Sequence, residues 1–165
     1  MPELYGEHVS GASTEGEKAA PGGGINMAER LSEIMTRNPV TVDVRDTVVA
    51  AARTMRDANI GDVVVLENGM VRGLLTDRDI VIRGLAEGKD PSGTQVGELC
   101  SREITTLAPT DAITDAISVM RDKAIRRLPV VQDGRLVGIV SLGDLAVRRE
   151  PQSVLGGISA APPNR

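Results

Sequence analysis

The 165-residue chain contains no tryptophan and no phenylalanine, and its one tyrosine (Tyr5) and one histidine (His8) both fall within the first ten residues. Beyond those ten residues there is no imidazole to act as a general base or a metal ligand, and no aromatic platform on which nucleic-acid bases could stack. A core must be built from Val, Leu, Ile, Met and Ala. Cys100 is the only cysteine, so no intramolecular disulfide can form, which suits a reducing cytoplasm. No run of Lys or Arg exceeds two and the net charge is −4, which argues against a general binder of nucleic acid or anionic membrane. No apolar run approaches the ~18 residues of a membrane span, and no basic-then-apolar leader is visible. What the chain does have is 41% hydrophobic and 25% charged residues, enough to build one globular unit or two very small ones.

Residues 1–26 are rich in Gly, Ser, Glu and Ala and are expected to form a disordered tail, with Met27 a candidate start. Residues 151–165 are expected to be a flexible tail in which Ser153, Val154, Leu155 and Ile158 can dock as a short apolar flap. Between the tails lies a repeat. Shifted by 65, residues 31–83 fall on residues 96–148 without a gap, with identities such as Asp46/Asp111, Met55/Met120, Gly73/Gly138, Asp79/Asp144 and Arg83/Arg148. Each copy reads β-α-β-β-α: residues 27–88, then residues 89–150, with a linker near Ala86 to Thr94. Short strands are expected at Val40–Val42 and Thr105–Leu107. Helices are predicted behind N-caps Asp46 and Asp111, with apolar faces at Val48, Ala51, Ala52 and Met55 and at Ile113, Ala116, Ile117 and Met120. Hairpins should turn at Asn68-Gly69 and Asp133-Gly134. The fold class is α/β (α+β), and because a unit of about 60 residues is marginal alone, the copies should pack about a pseudo-twofold axis.

The duplicated stretch with chemistry in it is Gly73-Leu74-Leu75-Thr76-Asp77-Arg78-Asp79 and Gly138-Ile139-Val140-Ser141-Leu142-Gly143-Asp144. A buried strand running into a helix N-terminus presents free N–H groups and a positive dipole end, suited to a phosphate or ribose. The aspartate carboxylate can accept from two vicinal hydroxyls. The same Thr-x-x-Asp and Ser-x-x-Asp patterns are also capping boxes, which stabilise a helix start and bind nothing. Both readings stay open on the residues alone.

The repeat, the β-α-β-β-α order, the segment Ile34-Met35-Thr36-Arg37-Asn38-Pro39-Val40-Thr41-Val42 and the strand Ile125-Arg126-Arg127-Leu128-Pro129-Val130-Val131 together resemble a tandem cystathionine-β-synthase (CBS) domain pair, or Bateman module, over residues 31–150. The resemblance implies a stand-alone regulatory module that binds an adenosyl ligand (AMP, ADP, ATP, S-adenosylmethionine or a dinucleotide such as NAD) in clefts between the copies. No cofactor is required, and Mg²⁺ is expected only with ATP. It nominates Thr76 and Asp79 in one cleft and Ser141 and Asp144 in the other for ribose and phosphate, with Thr36, Pro39 and Val40 framing the base. Arg126 and Arg127 of the second copy suit a phosphate, whereas the first copy has Gly61-Asp62 there and the second has Ile104 in place of Pro39. The fuller polar set is therefore expected in the second copy. A homodimer that signals to a separate effector protein is expected, with no nucleic acid or membrane as partner and no catalytic residue. The alternative is a ligand-free dimeric scaffold. An enzyme would have to use Cys100, which falls opposite Met35 and reads as an apolar packing residue.

Overall fold

The computed structural model describes residues 29–101, 103–149 and 151–161; the tail expected over residues 1–26 lies outside them. Two three-stranded sheets form, one mostly from each repeat. In the first, β2 (Thr41–Asp43) runs parallel to β3 (Asp62–Glu67), which pairs antiparallel with β4 (Met70–Thr76). In the second, β5 (Arg127–Gln132) pairs antiparallel with β6 (Arg135–Ser141), and the outer strand on β6 is β1 (Thr36–Arg37), which comes from the first repeat. Both hairpins turn where predicted. Asn68 and Gly69 take φ of 53° and 80°, and Asp133 and Gly134 take 50° and 76°, the paired positive values that a two-residue turn needs to match strand twist.

The leading segment of each repeat crosses to the other. Leu31 donates its N–H to Asp111 O at 3.0 Å, and its equivalent Val96 donates to Asp46 O at 2.8 Å. Contacts that reciprocate in this way define a twofold relation. Leu31 and Met35 are accordingly buried with Ile113, Met120, Leu128, Val140 and Leu145 of the second repeat. Val96, Leu99 and Cys100 are buried with Val48, Met55, Val63, Val65 and Leu75 of the first. Among the described residues the buried side chains are aliphatic, sulfur-containing or small, as the missing aromatics require.

Three local expectations need correcting. The helix α1 (Val48–Ala58) is capped by Thr47, whose hydroxyl accepts from Ala50 N, and α4 (Ile113–Lys123) begins after Ala112. Asp46 and Asp111 sit one residue too early; each instead closes the preceding turn, accepting from Asp43 N at 2.8 Å and Ala108 N at 2.7 Å. The strand expected at Thr105–Leu107 shrinks to one bridge between Leu107 and Val130. In the first repeat Val64 N donates to Val40 O at 3.1 Å; its equivalent is Pro129, which has no N–H to give. Ala52, placed on the apolar face by periodicity, is exposed.

After β4 the chain makes one α turn, α2 (Asp77–Asp79), widens into a π turn over Ile80–Gly84, and tightens over Leu85–Glu87 to Gly88 at φ 71°. The second repeat keeps a regular α5 (Leu142–Arg149), against which α6 (Val154–Ala160) packs. The short α3 (Val96–Leu99) completes the described elements. No helix among the described residues is long and apolar enough to cross a membrane.

Candidate functional site

The crossing of the leading segments builds two clefts. One, of about 320 Å³, is lined by Thr36, Asn38, Pro39, Val40, Ile60, Asp62, Val64 and Arg127 on one side and by Ile139, Ser141 and Asp144 on the other. The second, of about 260 Å³, is lined by Ser101, Glu103, Ile104, Thr105, Ile125, Arg126, Arg127 and Pro129 facing Leu74, Thr76 and Asp79. Apart from Arg126 and the shared Arg127, every lining position of one cleft maps onto the other by the 65-residue shift. The first volume lies at the lower end of the ~300–1,000 Å³ typical of small-molecule sites and the second falls just below it.

Thr36, Pro39, Val40, Ser141 and Asp144 are thus brought together, as are Thr76, Asp79, Arg126 and Arg127. The grouping expected from the sequence is different in one respect. Arg126 belongs to the same repeat as Ser141 and Asp144 but lines the cleft of Thr76 and Asp79. Each helix-start motif faces the central strand of the other repeat, so the cleft of Thr76 and Asp79 holds the extra cation. Arg127 lies between the two and lines both. Ser101, Glu103 and Thr105 were missed by the sequence reading. The signal was present, since they are the shifted equivalents of Thr36, Asn38 and Val40.

Most amides at the two helix starts are already engaged. Thr76 N and Thr76 Oγ1 both donate to Asp79 Oδ2, at 3.0 and 2.6 Å, and Asp79 N donates back to Thr76 Oγ1 at 3.1 Å. Asp77 N is taken by Gly61 O and Arg78 N by Asp77 Oδ1. The second copy repeats the box, with Ser141 N and Oγ on Asp144 Oδ2 at 2.7 Å each, Asp144 N on Ser141 Oγ at 3.2 Å, and Leu142 N on Arg126 O. The amides of residues 76–79 in the first copy and of Ser141, Leu142 and Asp144 in the second are therefore engaged by capping boxes, neighbouring carbonyls and the Asp77 carboxylate rather than turned to a phosphate. Each aspartate spends Oδ2 on its own helix and keeps Oδ1. Asp79 Oδ1 has Arg83 at 3.6 Å. Asp144 has no ion pair among the described residues, because Arg148, four residues on, turns to Glu29 at 2.7 Å and Glu33 at 3.8 Å.

Between the clefts stands one ion pair. Arg127 Nε lies 2.7 Å from Asp62 Oδ1, with side-chain exposures of 39% and 13%. Asp62 and Arg127 are equivalent positions of the two repeats. Desolvation raises the Asp62 pKa; Arg127 pulls it down and Asp77 adds to the rise. The net direction is up, because burial outweighs the one cation. Arg126 is exposed and makes no ion pair among the described residues. No group of three or more His, Cys, Asp or Glu among them is placed to share a metal ion.

The comparisons with known proteins agree with this architecture. The CBS domain family matches twice, at residues 31–84 and 96–149. The CBS domain-containing protein YhcV of Bacillus subtilis is 42% identical over 119 residues, 72% of this chain and 84% of that protein. Hypoxic response protein 1 of Mycobacterium tuberculosis is 39% identical over 115 residues, 69% of this chain and 80% of that one. A crystal structure of Hypoxic Response Protein I with two coordinated zinc ions superposes with a TM-score of 0.66 at 38% identity, covering 72% of this chain and 97% of that one. At 23% identity the fold is shared with the CBS domain pair of MJ0100, crystallised with 5′-methylthioadenosine and S-adenosyl-L-methionine. There the TM-score is 0.68, covering 76% of this chain and 99% of that one. The two matched repeats, the exchanged leading segments and the paired clefts make this chain a member of the CBS domain family, folded as a tandem pair.

Proposed function

We propose that the chain is a stand-alone regulatory CBS pair that binds an adenosyl ligand in its inter-repeat clefts and signals, as a cytoplasmic homodimer, to a separate effector protein. The observation that carries this is the paired lining: a hydroxyl residue and an aspartate from one repeat face apolar backbone, with Pro39 and Val40 or Ile104 and Thr105, from the other. The apolar wall suits an adenine, and the Oδ1 that Asp79 and Asp144 do not spend on their capping boxes suits ribose hydroxyls. Arg126 and Arg127 suit phosphates. AMP, ADP, ATP, S-adenosylmethionine and NAD are the candidates, with Mg²⁺ arriving only on the phosphates of ATP. Exposed Val81, Ile82 and Leu85 on the first repeat and Val154, Leu155 and Ile158 on the second favour self-association.

No catalytic role is assigned. Cys100 is 1% exposed and lies in the first core, so it is not available as a nucleophile. Calorimetric titration of the full chain with these five compounds tests the proposal: micromolar to submillimolar binding of at least one is expected, and none at millimolar concentration would overturn it. Asp79→Asn keeps the side-chain shape and should cut affinity about tenfold or more through weakened charge-assisted hydrogen bonds.

The completed capping boxes favour a second reading, a ligand-free dimeric scaffold, since their hydroxyls and amides are already satisfied. Melting curves separate the two. A ligand at 100 times its Kd adds about 2.7 kcal/mol of stability, and the scaffold shows no such rise.

A further inference from the structure

The two clefts are matched in shape but not in charge, and the difference sits on Asp62 and Arg127. In the cleft of Ser141 and Asp144 the only lining cation among the described residues is Arg127, and it is 2.7 Å from Asp62. Asp62 is the more buried partner, at 13% side-chain exposure, and Asp77 lies close enough to act on it electrostatically. A phosphate that drew Arg127 away would leave a poorly solvated carboxylate without its cation, which is strongly unfavourable. It would also meet Asp144, which has no cation of its own among the described residues. In the cleft of Thr76 and Asp79 the situation is reversed. Arg126 lines it, as well as the cavity between α4, α5 and the start of α6, with no acidic partner among the described residues; Asp79 is screened by Arg83 at 3.6 Å, and Glu103, which is exposed, is the one remaining acid among the described lining residues.

We infer that the clefts take different classes of adenosyl ligand: a phosphorylated nucleotide beside Arg126, and a nucleoside without phosphate, uncharged or cationic, beside Asp62, with Asp62 the residue that rejects phosphate. The inference rests on the adenosyl reading of the clefts. It assigns Arg126 to bind a phosphate directly and Asp62 to select against one by holding Arg127.

Titration of the full chain with AMP and with adenosine tests it. The wild type is expected to bind two adenosine per chain but one AMP, with any second AMP about tenfold or more weaker. Asp62→Asn, which keeps the size and removes the charge, should raise the AMP-to-adenosine affinity ratio of the weaker site about tenfold. Arg126→Gln, at an exposed side chain whose loss leaves the core untouched, should lower that ratio at the stronger site by a similar factor. Two AMP of equal affinity in the wild type would overturn the inference while leaving the adenosyl reading intact. So would an Arg126→Gln variant with an unchanged ratio. Failure of both AMP and adenosine to bind the wild type would overturn the inference, and the adenosyl reading falls with it only if ADP, ATP, S-adenosylmethionine and NAD fail as well. The wild-type and Arg126→Gln measurements stand even if Asp62→Asn melts early.

Discussion

Gly73 and Gly138 lack side chains because the leading segment of the opposite repeat passes over each of them. A Cβ on Gly73 would overlap the carbonyl oxygen of Ser101, and one on Gly138 would lie 2.5 Å from Met35 Sδ and 3.1 Å from Thr36 O. The obstacle at Gly73 is backbone, which cannot swing aside; at Gly138 the nearest atom belongs to a flexible side chain. Gly73→Ala is therefore expected to cost about 3 kcal/mol or more, and Gly138→Ala less, about 1–3 kcal/mol, in urea unfolding; equal losses would refute the distinction. Ala124 presents the opposite case. It closes α4 at φ 53°, where its equivalent Asn59 closes α1 at φ 52°. A left-handed alanine is strained relative to asparagine, so Ala124→Asn should stabilise by about 0.5–1 kcal/mol. Asp62 gives a pH signature. Its carboxyl titrates above the ordinary range because burial disfavours the charge, so between the unfolded and folded pKa values the native state holds the extra proton. Its contribution is then favourable at low pH and lost as pH rises. The stability of Asp62→Asn relative to wild type should accordingly rise from acid toward neutral pH, and a flat or falling difference would contradict the assignment.

At the level of elements, the exchanged segments matter more than their length suggests. Leu31 belongs to a three-residue turn of 3₁₀ helix, yet it is fully buried in the core of the second repeat. Leu31→Ala should cost about 2–5 kcal/mol, and the loss should be felt where Leu128 and Val140 lie. Hydrogen exchange would show it as faster exchange in β5 and β6, with β3 and β4 less affected. Uniform acceleration throughout, or acceleration confined to β3 and β4, would show that the crossing is not the main tie to the second core. The missing second-repeat strand has a comparable local cause, one proline at the position of Val64, so the two sheets are equivalent in chain path but not in hydrogen bonding.

For the whole molecule, the apolar surface left by the pair is concentrated on the helices. Val81, Ile82 and Leu85 are each about half exposed, Val154 is 81% exposed and Ile158 67%. A cavity of about 730 Å³ opens between α4, α5 and the start of α6. The apolar flap expected from Ser153, Val154, Leu155 and Ile158 thus forms a helix, with Gly156 rather than its large side chains turned inward. Exposed apolar residues gathered this way are expected to be covered by a second copy. Light scattering at micromolar concentration should give twice the 17.4 kDa chain mass. A monomer would refute the dimer, and a Val154→Asp, Ile158→Asp variant that still dimerises would place the interface elsewhere.

The sequence by itself determined the repeat, the order of elements, the hairpin turns and the identity of the paired hydroxyl and carboxylate residues. Each depends on chemistry within a few positions: periodicity, a positive-φ pair, a serine or threonine three residues before an aspartate. Helix caps slipped by one residue because Asp46 and Asp111 serve the preceding turn equally well, a choice settled by backbone geometry. What only the tertiary structure decided is which parts of the two copies meet. A residue in one repeat has the same local environment whether its leading segment folds back or crosses over. The 65-residue shift therefore reads identically for both arrangements. The crossing puts Arg126 opposite Thr76 and Asp79, seats Arg127 on Asp62, and explains the paired glycines by the passage of the chain's own backbone. Charge in the clefts is thus a property of the pairing of repeats, because Coulomb interactions act through space and their partners lie 65 residues apart.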